Sequence, residues 1–286
     1  MKNSNSIFKK ITTIPLKFYA GILIFLPLLY IFILSFFRND YYGGIIPDFT
    51  FDNYRMLIDV VYLKVFLQSF LIAFITTFIC ICISYPFCLI IRTKKETTQK
   101  LIMTFVMIPF LTNSLIRTYG WIVLLRKNGV INQFLMGTHL ISSPLSLMYN
   151  YFGIVIGMVY TLLPFMILPL NSAVSKLDDS LLDASKDLGA NRLQTFFKVV
   201  VPQTLPGLFN GSLMVFIPAI GLFFISDILG GGKLMLLGNL IKNQFLTARN
   251  WPFGAAISIT LIIITFIFVK LYKKIGGKMD DLGGGL

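Results

Sequence analysis

The chain has 286 residues, of which 56% are hydrophobic and only 13% charged, with a mean hydropathy of +0.80. Soluble domains carry about 25% charged and about 45–50% apolar residues, so this composition excludes an ordinary soluble domain. The formal charge of +13 would suit nucleic acid, but the basic residues lie in short clusters between long apolar runs, the pattern of loops flanking a lipid membrane.

Six apolar runs follow in order, at 18–37, 66–91, 101–125, 150–171, 204–225 and 252–272. Each reaches the roughly 20 residues that a helix needs to cross the hydrocarbon core. Four of them contain no Asp, Glu, Lys or Arg; the third holds Arg117 and the sixth ends near Lys270. Lys9, Lys10 and Lys17 precede the first run as in a signal peptide. Its length and the lack of a small-residue cleavage site favour a retained membrane helix. Prolines interrupt several runs, among them Pro86, Pro109, Pro164, Pro169, Pro206 and Pro218. Membrane helices tolerate such breaks where neighbours re-satisfy the freed carbonyls.

Orientation follows from the basic residues. Segments 1–17, 92–100, 172–203 and 270–286 together hold sixteen of the 25 Lys and Arg, against eight in the alternate segments. The richer side is expected to be cytoplasmic, with both termini inside and six crossings of the cell inner membrane. Cys80, Cys82 and Cys88 fall inside one apolar run and match no zinc spacing, so they read as packing residues.

The segment 176–202 differs from the other loops. Asp178 and Asp179 suit the start of a short helix, Gly189 the left-handed position that ends it, and Asn191 the cap of a second. Leu181, Leu182, Ser185 and Leu188 recur at helical spacing, which predicts an amphipathic hairpin. Asp183-Ala184-Ser185, Gly189 and Val199-Val200-Val201-Pro202 resemble the loop of ABC-importer permeases, which runs Glu-Ala-Ala, three residues, Gly, nine residues, Ile-x-Leu-Pro. The departures conserve charge, smallness and bulk.

The resemblance implies an all-α membrane protein with the type I ABC importer permease fold, six transmembrane helices and a cytoplasmic coupling loop. It also implies that Asp183, Ala184, Ser185, Gly189 and Pro202 couple the chain to a separate ATPase. A phosphate-binding loop is missing from the chain itself, since Gly230-Gly231-Gly232-Lys233 continues with Leu234. By this reading 1–64 is an N-terminal segment with the first helix and outer loop, 65–272 the permease core, and 273–286 a tail.

Further stretches are similar to the first permease subunit of bacterial spermidine/putrescine importers: Phe49-Thr50-Phe51-Asp52-Asn53-Tyr54, Pro109 to Arg117, Leu163-Pro164-Phe165-Met166, Ile225-Ser226-Asp227 and Trp251 to Ala256. That similarity implies two ATP-binding subunits, a second related permease and an extracytoplasmic polyamine-binding protein. It implies no cofactor and no catalytic residue in this chain.

A polyamine path calls for carboxylates and aromatic faces. Asp227 stands against the fifth run and Tyr160 in the middle of the fourth, and both are candidates for that path. Arg117, sixteen residues and about 24 Å into the third run and so in the outer part of the membrane, would repel a cation. It could reach outward, pair with a carboxylate such as Asp227, or face another subunit. Asn113, one turn earlier, could extend a polar strip. Tyr119 and Trp121 read as interfacial anchors. Other readings are a permease for a different small solute and an ion-coupled carrier, which would need internal ionisable sites near mid-membrane. A membrane enzyme has little support, since the sole histidine, His139, stands in a loop.

Overall fold

The computed structural model describes Tyr19, residues 21–40 and residues 44–283. The lysines of segment 1–17 and the tail residues Gly284 and Gly285 lie outside them. The chain divides into two units, Met1–Leu63 with Leu240–Ile264, and Lys64–Asn239 with Thr265–Leu286.

In the first unit, helix α1 (Gly21–Leu34) runs into a two-stranded antiparallel ribbon, β1 (Arg38–Asn39) and β2 (Ile45–Ile46), with Arg38 opposite Ile46. A helix end leaves carbonyls without partners. Here Asn53, on the short helix α2 (Asp52–Met56), donates its amide to Ser35 O at 2.9 Å and to Phe37 O at 2.8 Å. Phe36 stacks on Phe49 at 5.2 Å and meets Phe51 edge-on at 5.5 Å. The Phe49 to Tyr54 stretch is thus a clasp on the end of α1. Arg38 pairs with Asp48 at 3.3 Å, but both side chains are exposed and the pair contributes little.

The second unit is built on α3 (Val60–Arg92) from Lys64 onward, α7 (Tyr151–Val174) and α10 (Val201–Gly221). In α3, Ser69, Ile72, Ala73, Thr76, Cys80, Ser84, Cys88 and Ile91 are all buried. Their spacing of three and four draws one stripe along the helix. Cys80 and Cys88 sit in it as free thiols, and Cys82 is free and exposed. Between α7 and α10, small residues let the backbones approach closely. A Cβ at Gly207 would lie 2.6 Å from Pro169 O and collide with the Ala173 side chain, and one at Gly211 would lie 2.7 Å from Met166 Sδ.

The third apolar run is not one straight helix. It forms α4 (Glu96–Met107), a 3-10 turn at Ile108–Leu111, α5 (Ser114–Leu125) and α6 (Val130–Gly137). The two halves are bent by 93°. Pro109 has no N–H to continue the helical ladder. Thr112 is extended (φ −86°, ψ 154°), and Asn113 accepts the Leu115 N–H at 2.8 Å to start a new helix. The helical rise therefore does not accumulate across the run, and the 24 Å depth expected for Arg117 does not hold.

The fifth run is also re-divided. Its helix begins at α9 (Arg192–Thr195), passes through a π-helical turn at Phe196–Val200, and ends at Gly221. Leu222 (ψ 78°) breaks it before α11 (Phe223–Leu229). The remaining helices are α8 (Asp179–Asp187), α12 (Leu237–Leu246) and α13 (Trp251–Gly283).

Among the described residues, Val60–Arg92, Tyr151–Val174, Arg192–Gly221 and Trp251–Leu271 are long and apolar enough to cross a membrane. The bent pair makes a fifth if counted as one span, and α1 is shorter.

Candidate functional site

Two places carry the candidate residues, the hairpin of α8 and α9 and a polar and aromatic cluster around α5, α7 and α11. Local chemistry closes the hairpin. Asp178 accepts the Ser180 N–H at 2.9 Å at the start of α8. That bond holds the Asp178 carboxyl below the usual carboxylate range. The cap is therefore in place at neutral pH and is lost as pH falls through the lowered value. At the other end Gly189 takes φ +76°. The Gly189 N–H donates to Lys186 O at 2.8 Å and the Ala190 N–H to Ser185 O at 3.0 Å, which is the Schellman pattern of a glycine-ended helix. Asn191 and Gln194 then form a reciprocal capping box at 2.9 Å each way. Lys186 pairs with Asp183 at 2.8 Å, and that bond raises the lysine above its ordinary value.

The hairpin is tied to the helices beneath it. Ser185, 7% exposed, shares a hydroxyl hydrogen bond with Thr195 at 2.9 Å. Leu182 and Phe196 pack on a buried cluster of Tyr85, Cys88, Ile167, Leu170, Val174 and Val200, drawn from α3, α7 and the entry to α10. The Tyr85 hydroxyl meets Thr204 Oγ1 at 2.9 Å. Arg92, at the end of α3, donates to Leu177 O and to Asp179 Oδ1, both at 2.8 Å.

Arg92→Met is expected to loosen this root. Hydrogen bonds made by charged groups are worth about 1.5–3 kcal/mol, discounted here because Asp179 is exposed. Amide exchange over 178–188 should accelerate about tenfold by mass spectrometry; unchanged protection would show that the apolar cluster alone holds the hairpin.

The expected apolar face divides. Leu182 and Ser185 turn inward, while Leu181 and Leu188 are exposed, Leu188 at 88%. Asp183, Ala184, Gly189 and Pro202 are exposed as well. Leu193 and Phe197, at 69% and 64% exposed, extend the outer surface. Neither is among the residues expected from the sequence, although both follow the second cap at helical spacing. Ser185 is engaged within the hairpin rather than on its outer face.

In the second place, Asp227 lies on α11 beyond the break after Gly221 and is half-buried. Its Oδ1 accepts the Asn239 amide, which also donates to Phe223 O at 3.0 Å. The Ser226 hydroxyl donates to Leu234 O at 2.9 Å, and the Leu237 N–H donates to the buried Ser69 Oγ at 2.8 Å. Asp227 therefore sits in a turn stitched to α3. Helix α11 packs against both α5 and α7.

Tyr160, on α7, meets Trp121 edge-on at 5.4 Å. The Arg117 guanidinium carbon stands 5.6 Å from the Tyr160 ring centre and 6.0 Å from that of Phe110. The ion pairs among the described residues do not include Arg117; it faces aromatic rings instead. Asn113 is exposed, and its side chain caps α5. Trp121, expected as a membrane anchor, joins the Arg117 cluster; its position four residues after Arg117 was the available signal.

These features define a helical membrane component with a helical hairpin rooted in its core. Residues 5–280 match the family model of the binding-protein-dependent transport system inner membrane component. The chain belongs to that family, and it is a multi-pass inner-membrane transport component rather than an enzyme. It is 42% identical, over 99% of both chains, to the spermidine/putrescine transport system permease protein PotB of Salmonella typhimurium strain SL1344. It is 43% identical to the protein of the same name from Escherichia coli K12, over 88% of this chain and 91% of that one. The fold resembles a chain of the bacterial alginate ABC transporter solved in complex with an alginate pentasaccharide-bound periplasmic protein, at a TM-score of 0.77 and 12% identity over 96% of both chains.

Proposed function

We propose that the chain is the permease subunit of an ATP-driven polyamine importer, forming half of the translocation path for spermidine or putrescine. The observation that carries this reading is the 42% identity to a spermidine/putrescine permease along 99% of both chains. In this reading the chain crosses the inner membrane six times, the bent pair counting as one crossing and α1 as another, with both termini cytoplasmic. Its partners are two ATP-binding subunits, a second related permease and an extracytoplasmic polyamine-binding protein.

The hairpin is the coupling loop. Asp183, Ala184, Gly189 and Pro202 lie toward the ATPase with Leu188, Leu193 and Phe197, and Ser185 holds the two helices of the loop together. The buried cluster beneath Leu182 and Phe196 supports this role, because a push on the hairpin reaches α3, α7 and α10 through packed side chains.

Asp227 and Tyr160 belong to the substrate path, with Asn113 at its edge. Asp227→Asn removes the charge yet keeps an oxygen for the Asn239 amide, so the turn should survive. ATP-dependent uptake of radiolabelled spermidine by the reconstituted importer should fall about tenfold, the scale of one charge-assisted hydrogen bond. Association with the ATPase should be unchanged. Equal uptake by variant and parent would make Asp227 structural. Uptake by this chain alone, driven by an ion gradient, would overturn the importer reading.

A further inference from the structure

The Arg117 cluster joins side chains from the 3-10 turn, α5 and α7. The 93° break places Phe110 on the 3-10 turn ahead of α5, whose first turns carry Arg117 and Trp121 at a spacing of four. Two ring pairs result, Phe110 with Phe165 at 5.0 Å and 90°, and Trp121 with Tyr160 at 5.4 Å and 72°. The guanidinium lies against one ring of each pair. Phe110, Trp121, Tyr160 and Phe165 are all half-buried rather than sealed in the core.

Aromatic faces attract cations, and the attraction strengthens as water is excluded. Yet Arg117 fits its seat incompletely. Its Nε is buried with no hydrogen-bond partner. An unmade hydrogen bond on a buried donor costs about as much as a cation–π contact returns, so the seat is weakly held. An alkylammonium group is compact and meets ring faces without a planar fork of donors to satisfy. The same rings would therefore accept it once Arg117 moved aside. While the guanidinium remains, its charge repels any second cation.

We propose that Phe110, Trp121, Tyr160 and Phe165 form an aromatic subsite for an alkylammonium group, and that Arg117 is its tethered occupant, displaced when cationic cargo passes. Cargo identity rests on the polyamine reading above; the subsite itself does not. Arg117 thereby sets specificity twice over. It excludes stray monovalent cations from an empty path, and it yields only to a cargo held by further groups such as the Asp227 carboxylate.

The chain has two tryptophans, so Trp251→Phe leaves Trp121 as the reporter. The full chain carrying that change is reconstituted in lipid nanodiscs, and Trp121 fluorescence is quenched with N-methylpyridinium, a cation, and with neutral acrylamide. Arg117→Gln should raise the cationic quenching constant about threefold or more relative to acrylamide, because the rings lose their occupant. Arg117→Lys, which keeps a cation in place, should remain near the parent. Adding Tyr160→Leu to Arg117→Gln should remove the gain. No change with Arg117→Gln, or a gain indifferent to Tyr160, overturns the subsite. Spermidine should then protect Trp121 from the cationic quencher in Arg117→Gln. Failure of that protection, with the quenching difference intact, leaves the subsite standing and overturns polyamine as its ligand.

Discussion

Gly189→Val should leave the chain in the membrane and reduce ATP-driven uptake by at least about tenfold. Gly189 holds φ +76°, a region that costs other residues about 1–2 kcal/mol and β-branched ones more. A Cβ there meets nothing within 4 Å in this chain, so the cost arises in the backbone and not from an internal clash. The valine variant relieves it by unwinding the end of α8, which displaces Leu188 and the second capping box together. Neither belongs to the buried cluster beneath the hairpin, so folding of the helices should be largely spared.

Gly189→Asn separates two causes, since asparagine tolerates the left-handed region. Uptake retained by Asn and lost by Val assigns the requirement to backbone conformation. Loss in both assigns it to close approach of the ATPase. Unchanged uptake with Val removes the hairpin from coupling. The measurements are spermidine uptake by reconstituted importer and membrane abundance by immunoblot.

The second large effect is expected at Gly207, where α10 crosses α7. A Cβ there would collide with Ala173 and stand 2.6 Å from Pro169 O, and a backbone carbonyl cannot turn aside as a flexible side chain can. Gly207→Leu should therefore cost about 1–3 kcal/mol or more by overpacking. Its melting temperature in detergent, followed by loss of the monodisperse peak on heating, should fall clearly below the parent's. Gly120→Leu is the comparison, because a Cβ at Gly120 meets nothing within 4 Å. Its melting temperature should match the parent's. An unshifted Gly207→Leu would mean that the two helices can separate without loss.

Residue order foretold the hairpin better than it foretold the spans. Caps and turns depend on a few neighbouring residues: Asp178 bonds to Ser180, Asn191 and Gln194 to each other, and Gly189 takes the positive φ that its place after α8 requires. The division of its leucines was not legible. Leu182 and Leu188 differ in what lies beneath them, and Leu182 turns inward because Tyr85, Val174 and Val200 arrive there from three other segments. The ends of the apolar runs were similarly hidden. Pro109 marks a possible break, as Pro86 and Pro206 do, yet Pro86 and Pro206 lie inside continuous helices. What distinguishes Pro109 is the extended Thr112 and the Asn113 cap that follow it.

What the amino-acid order determined by itself is the solvent and the local form of the hairpin. Partition into lipid adds up residue by residue over a run of about 20, and the hairpin's spacing is a property of one short segment. The tertiary structure alone decided what surrounds Arg117. A straight third helix would have set that charge at a fixed depth, to reach outward, pair with a carboxylate or face another subunit. With the 93° break, the ring centres of Phe110 and of Tyr160, from a different helix, instead lie 6.0 Å and 5.6 Å from the Arg117 guanidinium carbon. Such a juxtaposition depends on positions more than forty residues apart, and no local pattern encodes it.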